Sequence, residues 1–282
     1  MNELVEALTG RLTSNQKRKE DDFEKDGILY CGKCGAPRQA WIDWIPDADG
    51  KTEKRLVPIM CKCDEEEEKR EKEEKAQHDF DLAMRHIRLT LYTMRDDVTA
   101  TFADDTDEDN AISKTCRKYV ERWEEMRKDN MGILFYGSKG TGKTFYASCI
   151  YNELLKNRIL AGFTSTVNLM NVLSKWDKTD VFECIEKVRL LVLDDLGAER
   201  DTSYGAELMY SVIDARYKTG LPTIITTNLD LGEMKAETDI WRSRIYDRVI
   251  EMCPIAIPMA GESKRVNIAD ERKKKARELL RG

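Results

Sequence analysis

No stretch of the chain approaches the roughly 18 consecutive apolar residues that a membrane span requires, so the sequence predicts no membrane partner. Nor does the N-terminus, Met1 to Leu8, carry an apolar signal region, and its early acids predict a cytoplasmic protein. Positive charge is not in excess: 47 Lys and Arg against 53 Asp and Glu give a formal charge of −6. That balance argues against a uniformly basic nucleic-acid protein while leaving room for a local basic surface. No internal repeat is visible. Only two histidines are present, His78 and His86, and both fall in a charged stretch where solvated positions are expected. Eight cysteines in a chain of this kind indicate reduced or metal-bound thiols, not a disulfide framework.

What is there suffices for one substantial domain and a smaller one. Apolar residues make up 41% of 282, enough for a core, and charged residues 35%, well above the usual quarter. The excess charge predicts long solvated helices. Leu4, Val5, Leu8 and Leu12 sit at helical spacing and predict a short amphipathic helix.

Cys31-Gly-Lys-Cys34-Gly and Cys61-Lys-Cys63 are separated by 26 residues. A Cys-x-x-Cys followed by glycine makes a tight knuckle whose backbone N–H groups can point at the sulfurs. A second close pair completes a tetrahedral Zn²⁺ site, which would compensate for the small core of a segment of roughly 60 residues. The second pair is tighter than the usual two-residue gap. Free thiols and a redox pair are the alternatives, the latter without a βαβ context. Trp41 and Trp44 either pack this small domain or stack bases. Cys116, Cys149, Cys184 and Cys253 are scattered singly and read as buried apolar residues.

Directly after Cys63 the composition changes. Asp64 to Lys75 is twelve charged residues, eight acids and four bases, without Gly or Pro; it predicts an exposed helix or helical linker. A second acidic cluster, Asp104 to Asp109, reads as a loop. The expected organisation is therefore residues 1–64 as a zinc-binding, partner-docking domain, 65–105 as a charged helical linker, and 106–282 as an α/β domain.

From Ala111 helix and strand alternate. Residues 112–127 predict a helix, Gly132 to Tyr136 a strand, Lys143 to Asn157 a helix, and Val188 to Leu193 and Thr223 to Thr227 further buried strands. Such runs imply a parallel sheet flanked by helices. Between the first strand and its helix lies Gly137-Ser138-Lys139-Gly140-Thr141-Gly142-Lys143-Thr144, followed by Phe145. Its glycines let successive N–H groups face a β-phosphate, and the helix N-terminus adds to that field. Lys143 would neutralise β- and γ-oxygens, and the Thr144 hydroxyl would ligate Mg²⁺. This is the mark of a P-loop ATPase.

About fifty residues on, Arg189-Leu-Leu-Val-Leu-Asp194-Asp195 is a buried strand ending in two carboxylates. Buried acids need a compensating cation, so Asp194 is expected to hold Mg²⁺ through water and Asp195 to act as base on the attacking water. Asn228, after the strand Thr223 to Thr227, can reach the γ-phosphate or that water; as a bare signal it also fits a turn cap. Arg244 and Arg248, four apart, share one helix face. Either reaches a neighbouring subunit's phosphate or pairs with Asp247 or Glu251. Lys264 to Gly282 carries eight bases and three acids, and either contacts phosphates or forms an exposed final helix.

The order and approximate spacing of Leu-Asp194-Asp195-Leu-Gly-Ala-Glu199, Thr-Thr-Asn228 and Gly-Glu-Ser-Lys-Arg265 resemble the AAA+ helicase loaders of the DnaC/DnaI type, and more distantly the IstB transposition helpers. The resemblance covers residues 131–282. It implies that Asn228 is sensor 1, Arg265 sensor 2, and Arg248, with Arg244 beside it, an arginine finger acting in trans within a homo-oligomer of ATPase domains lacking a full lid. It also implies ATP, Mg²⁺ and Zn²⁺ as cofactors, and a replicative hexameric helicase and single-stranded DNA as partners. One departure is Asp195, where many AAA+ ATPases have Glu. The alternatives are an IstB-like transposition helper and a nucleotide-switched adaptor with little hydrolysis.

Overall fold

In the computed structural model, residues 18–43, 54–91, 98–175, 178–198, 202–261, 273 and 276–280 are described. The expected helix at residues 4–12, Trp44, Glu199 and Arg265 lie outside them. The chain divides into two compact units, Met1–Asp79 and Phe80–Gly282.

The first unit is built on two short antiparallel hairpins. β1 (Phe23–Lys25) pairs with β2 (Ile28–Tyr30), and β3 (Gln39–Asp43) with β4 (Lys54–Pro58). Asp26-Gly27 turns the first hairpin with φ of 51° and 72°, the left-handed pair that a two-residue hairpin turn requires. Among its described residues, buried apolar side chains are few: Cys31, Val57, Ile59 and Cys61. A buried ion network supplements them. Arg38, 2% exposed, bonds Asp22 through Nη1 and Asp64 through Nη2, the latter at 2.9 Å. α1 (Lys62–Thr90) starts in this unit and continues past its boundary.

The second unit carries a five-stranded, all-parallel sheet. Its strands are β5 (Ile133–Tyr136), β6 (Ala161–Ser165), β7 (Leu190–Leu196), β8 (Thr223–Thr227) and β9 (Ile255–Pro258), ordered β6-β7-β8-β5-β9. The central strands are buried on both faces, as continuous runs such as Leu190-Leu-Val-Leu and Thr223-Ile-Ile-Thr demand. Around the sheet lie α2 (Ala111–Glu121), α3 (Trp123–Lys128), α4 (Lys143–Lys156), α5 (Thr166–Lys175), α6 (Lys178–Lys187), α7 (Ser203–Thr219), α8 (Leu231–Ala236) and α9 (Ile240–Met252). The helix expected over 112–127 is two helices, divided at Arg122, whose φ/ψ of −102°/26° leave the helical region.

The stretch expected as linker divides in character. Its charged first half is solvated, with pairs such as Lys72–Glu68 at 2.5 Å. Met84, Ile87, Leu91, Val98 and Phe102 instead join the same hydrophobic core as the sheet strands. Leu91 and Thr164 are also bonded, the Thr164 hydroxyl donating to the Leu91 carbonyl at 2.7 Å. Among the described residues, no helix is long and apolar enough to cross a membrane.

Candidate nucleotide site and cysteine cluster

Three neighbouring strands, β5, β8 and β7, deliver the expected groups to one end of the sheet. β5 leads into the glycine loop, where Gly137 and Gly142 have φ of 115° and 102°. A Cβ on Gly137 would lie 2.8 Å from the Met259 carbonyl oxygen, so both conformation and space demand glycine there. Gly142 precedes the first turn of α4, and a helix N-terminus of this kind favours an anion.

Lys143 is 5% exposed. Its Nζ donates to the Gly137 and Ser138 carbonyls at 2.8 and 2.7 Å and to Asn228 Oδ1 at 2.9 Å. Thr141 Oγ1 donates to the Ser138 carbonyl at 2.9 Å, which tightens the loop. The loop lysine and the β8 amide, 85 residues apart in sequence, are therefore in contact.

Thr144 and Asp194 meet as well: the Thr144 hydroxyl lies 3.0 and 3.2 Å from the two Asp194 carboxylate oxygens. Asp194 is 8% exposed. Asp195, beside it, has φ of 55°, and the β7–β8 register shifts between Leu193 and Leu196. The strand thus bulges where the two carboxylates sit.

A cleft of about 550 Å³ opens over these groups, lined by Lys139, Gly140, Gly142, Lys143, Thr144, Phe145, Asp195 and Asn228. That volume suits a nucleotide-sized ligand. Asp104, Asp105, Thr106 and Ala198 complete the wall, and the sequence reading assigned none of them to a site. Asp105 is itself 7% exposed. For Asp104, Asp105 and Thr106 the one available signal is their position just ahead of α2, which packs on α4.

The arginines of α9 do not line this cleft. Arg248 Nη2 pairs with Asp214 of α7 at 2.6 Å, and its guanidinium lies over Tyr210 and Tyr217 at 4.4 and 5.5 Å. Arg244 is exposed, 5.8 Å from the Trp241 ring. Of the two, Arg244 is the one presented to solvent, and Arg248 is held by Asp214 of the same chain.

In the first unit the sulfurs of Cys31, Cys34, Cys61 and Cys63 lie within 4.8 Å of one another. Four thiolates at tetrahedral Zn–S distances of about 2.3 Å stand roughly 3.8 Å apart, so the set fits a four-coordinate soft-metal site. Gly35 N–H bonds the Cys31 carbonyl at 2.8 Å and closes the first knuckle. The Ala36 N–H holds the Cys34 thiol down to about 7. Cys61 is pushed up to about 12 by burial, against an opposing bond from the Asp64 N–H. The tight Cys61-x-Cys63 spacing straddles Lys62, the first residue of α1, and the Asp64 N–H in the first turn of that helix bonds the Cys61 sulfur.

Residues 64–273 match the family of IstB-like ATP binding proteins. The chain belongs to that family. Its five-stranded parallel sheet and glycine loop agree with the ATP-binding function in that family's description. Over 146 residues it is 29% identical to the replicative helicase loader DnaC of Escherichia coli K12, covering 50% of this chain and 57% of that one. Over 145 residues it is 25% identical to the uncharacterized protein YqaM of Bacillus subtilis, covering 48% and 45%. The chain spans a little over half the length of the DnaC relatives it matches. The solved structure of DnaI aligns with a TM-score of 0.50 and 24% identity over 60% of this chain and 96% of DnaI, a likeness of fold.

Proposed function

We propose that this IstB-like protein is an ATPase that loads a replicative hexameric helicase onto single-stranded DNA, with nucleotide state switching it between holding and releasing its partner. One observation carries the chemistry: Lys143, Thr144, Asp195 and Asn228, held at the ends of three neighbouring strands, line one cleft, and Asp194 is bonded to Thr144. The loader role follows the likeness to DnaC.

In this reading Lys143 exchanges its loop carbonyls for β- and γ-phosphate oxygens. Thr144 and Asp194 would hold Mg²⁺, which when bound neutralises charge on the phosphates. A water oxygen attacks the γ-phosphorus, and Asp195 takes the proton released. The bond to the bridging oxygen breaks, and ADP leaves with the electron pair. Asn228 orients the water or the γ-phosphate. Arg244, exposed on α9, is offered to the site of a neighbouring copy in a homo-oligomer.

The four cysteines would hold Zn²⁺ as a structural ion in a helicase-docking unit.

The test is ATP turnover of the wild type and Lys143→Ala, with and without single-stranded DNA, beside capture of the hexameric helicase from the same source. Turnover abolished in Lys143→Ala together with helicase capture supports the loader. Failure to bind any such helicase counts against it. The family match favours a second reading, a transposition helper, and capture of a transposase instead would select it. Tight ATP binding without turnover would point to a nucleotide-switched adaptor.

A further inference from the structure

We infer that Thr226 is a positioning residue that links the metal-holding acid Asp194 to the backbone carrying the base Asp195; this rests on the ATP–Mg²⁺ reading of the cleft. Thr226 lies near the end of β8 and is fully buried. Its hydroxyl donates to Asp194 Oδ1 at 2.6 Å and accepts the Asp195 backbone N–H at 2.9 Å.

The polarity of this relay is fixed. A backbone amide only donates, and a hydroxyl has one proton, so the proton of Thr226 is committed to the carboxylate. The far side of the same bulge is pinned too: Thr166, at the start of α5, donates to the Asp195 carbonyl at 2.8 Å. Asp195 thereby keeps its left-handed φ of 55° between two buried threonine hydroxyls.

Thr226 is the one of the two that reaches the metal acid. With Oδ1 engaged by Thr226, the carboxylate cannot rotate freely, and its remaining lone pairs stay turned toward Thr144. Polarisation along amide, hydroxyl and carboxylate strengthens each link. The placement of the base and the affinity for the cation are then set by one side chain. A valine, close to threonine in shape, would remove the donor to Asp194 and leave the Asp195 N–H without its acceptor.

The experiment is a titration of a fluorescent ATP analogue into wild type, Thr226→Val and Thr226→Ser over a range of Mg²⁺, and again in EDTA. Loss of an outer-shell hydrogen bond of this type costs about tenfold or more in metal affinity. The expected result is an Mg²⁺ half-saturation about tenfold higher for Thr226→Val, unchanged nucleotide affinity in EDTA, and recovery in Thr226→Ser. Should the valine variant fail to fold, Thr226→Ala carries the same comparison. An Mg²⁺ dependence equal to wild type in a folded variant overturns the inference alone. So does a loss of affinity that is equal with and without Mg²⁺ and is not restored by serine. If wild type itself shows no Mg²⁺-dependent binding, the nucleotide reading falls and the inference with it.

Discussion

Arg248 Nη2 stands 2.6 Å from Asp214 Oδ1, an ion pair that fastens α9 to α7 while the same guanidinium stacks on Tyr210. Reaching a neighbouring subunit would require breaking the pair and both ring contacts. Arg244, one turn earlier and exposed, has no such obligation. Arg248→Ala is therefore expected to lower unfolding free energy by roughly 1–3 kcal/mol, the sum of a partly buried ion pair and cation–π contacts. Arg244→Ala is expected to leave stability within about 0.5 kcal/mol and to cut turnover on the order of a thousandfold if it serves as a finger in trans. Urea denaturation and ATPase assays at concentrations that permit assembly separate the two effects. A stable Arg248→Ala with lost turnover would reverse the assignment.

Asp195 occupies a backbone conformation in which Asp and Asn are the most tolerated residues after glycine. This gives a physical reason for Asp where many related ATPases carry Glu. Asp195→Glu is expected to lose about 1 kcal/mol of stability and to gain no activity from its longer reach. Asp195→Asn should keep the fold and lose about 10²- to 10⁴-fold in turnover, the usual worth of a general base. An Asp195→Glu enzyme faster than wild type would show that the bulge does not dictate the residue.

The parts of this site that were legible share one property: their meaning is contiguous in sequence. A phosphate loop is built from consecutive backbone N–H groups, so Gly137 to Thr144 declares itself. The buried strand ending in Asp194 and Asp195 does nearly the same. The positive φ of Asp195 was not legible, because a bulge depends on the register with β8. Asp104, Asp105 and Thr106 were invisible for a different reason: a run of acids ahead of a helix reads as solvent-facing loop, and only tertiary packing of Phe102 turns it toward the cleft. β6, with its small and polar Ala161-Gly-Phe-Thr-Ser, has no strand signature; burial beside β7 makes it one. Likewise Arg38 and Arg216 carry the residue type expected outside, yet both are buried.

Arg216 shows what such a buried arginine does. Fully enclosed on α7, it donates to the carbonyls of Ile185, Val188 and Pro222 at 2.8, 2.8 and 2.7 Å, to that of Arg189 at 3.3 Å, and to Thr223 Oγ1 at 3.1 Å. Burial pulls its guanidinium down to about 9. The fork ties the end of α6 to the starts of β7 and β8, the strands that deliver Asp194 and Asn228. Arg216→Ala is expected to cost about 3–5 kcal/mol, as carbonyls lose donors and a cavity opens. Arg216→Lys should recover only part of this, because an ammonium cannot span the same set. Equilibrium unfolding in urea measures both; a lysine variant as stable as wild type would show that the charge, and not the fork, matters.

The cysteine cluster yields the last prediction. Four sulfurs within 4.8 Å of one another, in a unit with few buried apolar side chains among its described residues, predict a stability that rests on a metal more than on a core. The purified protein is expected to hold about one Zn²⁺ per chain by elemental analysis, since four cysteines make a closed structural site. Cys61→Ser, at a buried ligand, should release that metal and open residues 18–43 to limited proteolysis. Cys34→Ser removes an exposed ligand and should weaken binding less. Cys116→Ser, outside the cluster, should leave the metal content unchanged. Nucleotide binding by the sheet-bearing unit provides the internal control, because its cleft draws no residue from the cluster. Full metal retention by Cys61→Ser would mean that the sulfurs are gathered for another reason, the free-thiol alternative.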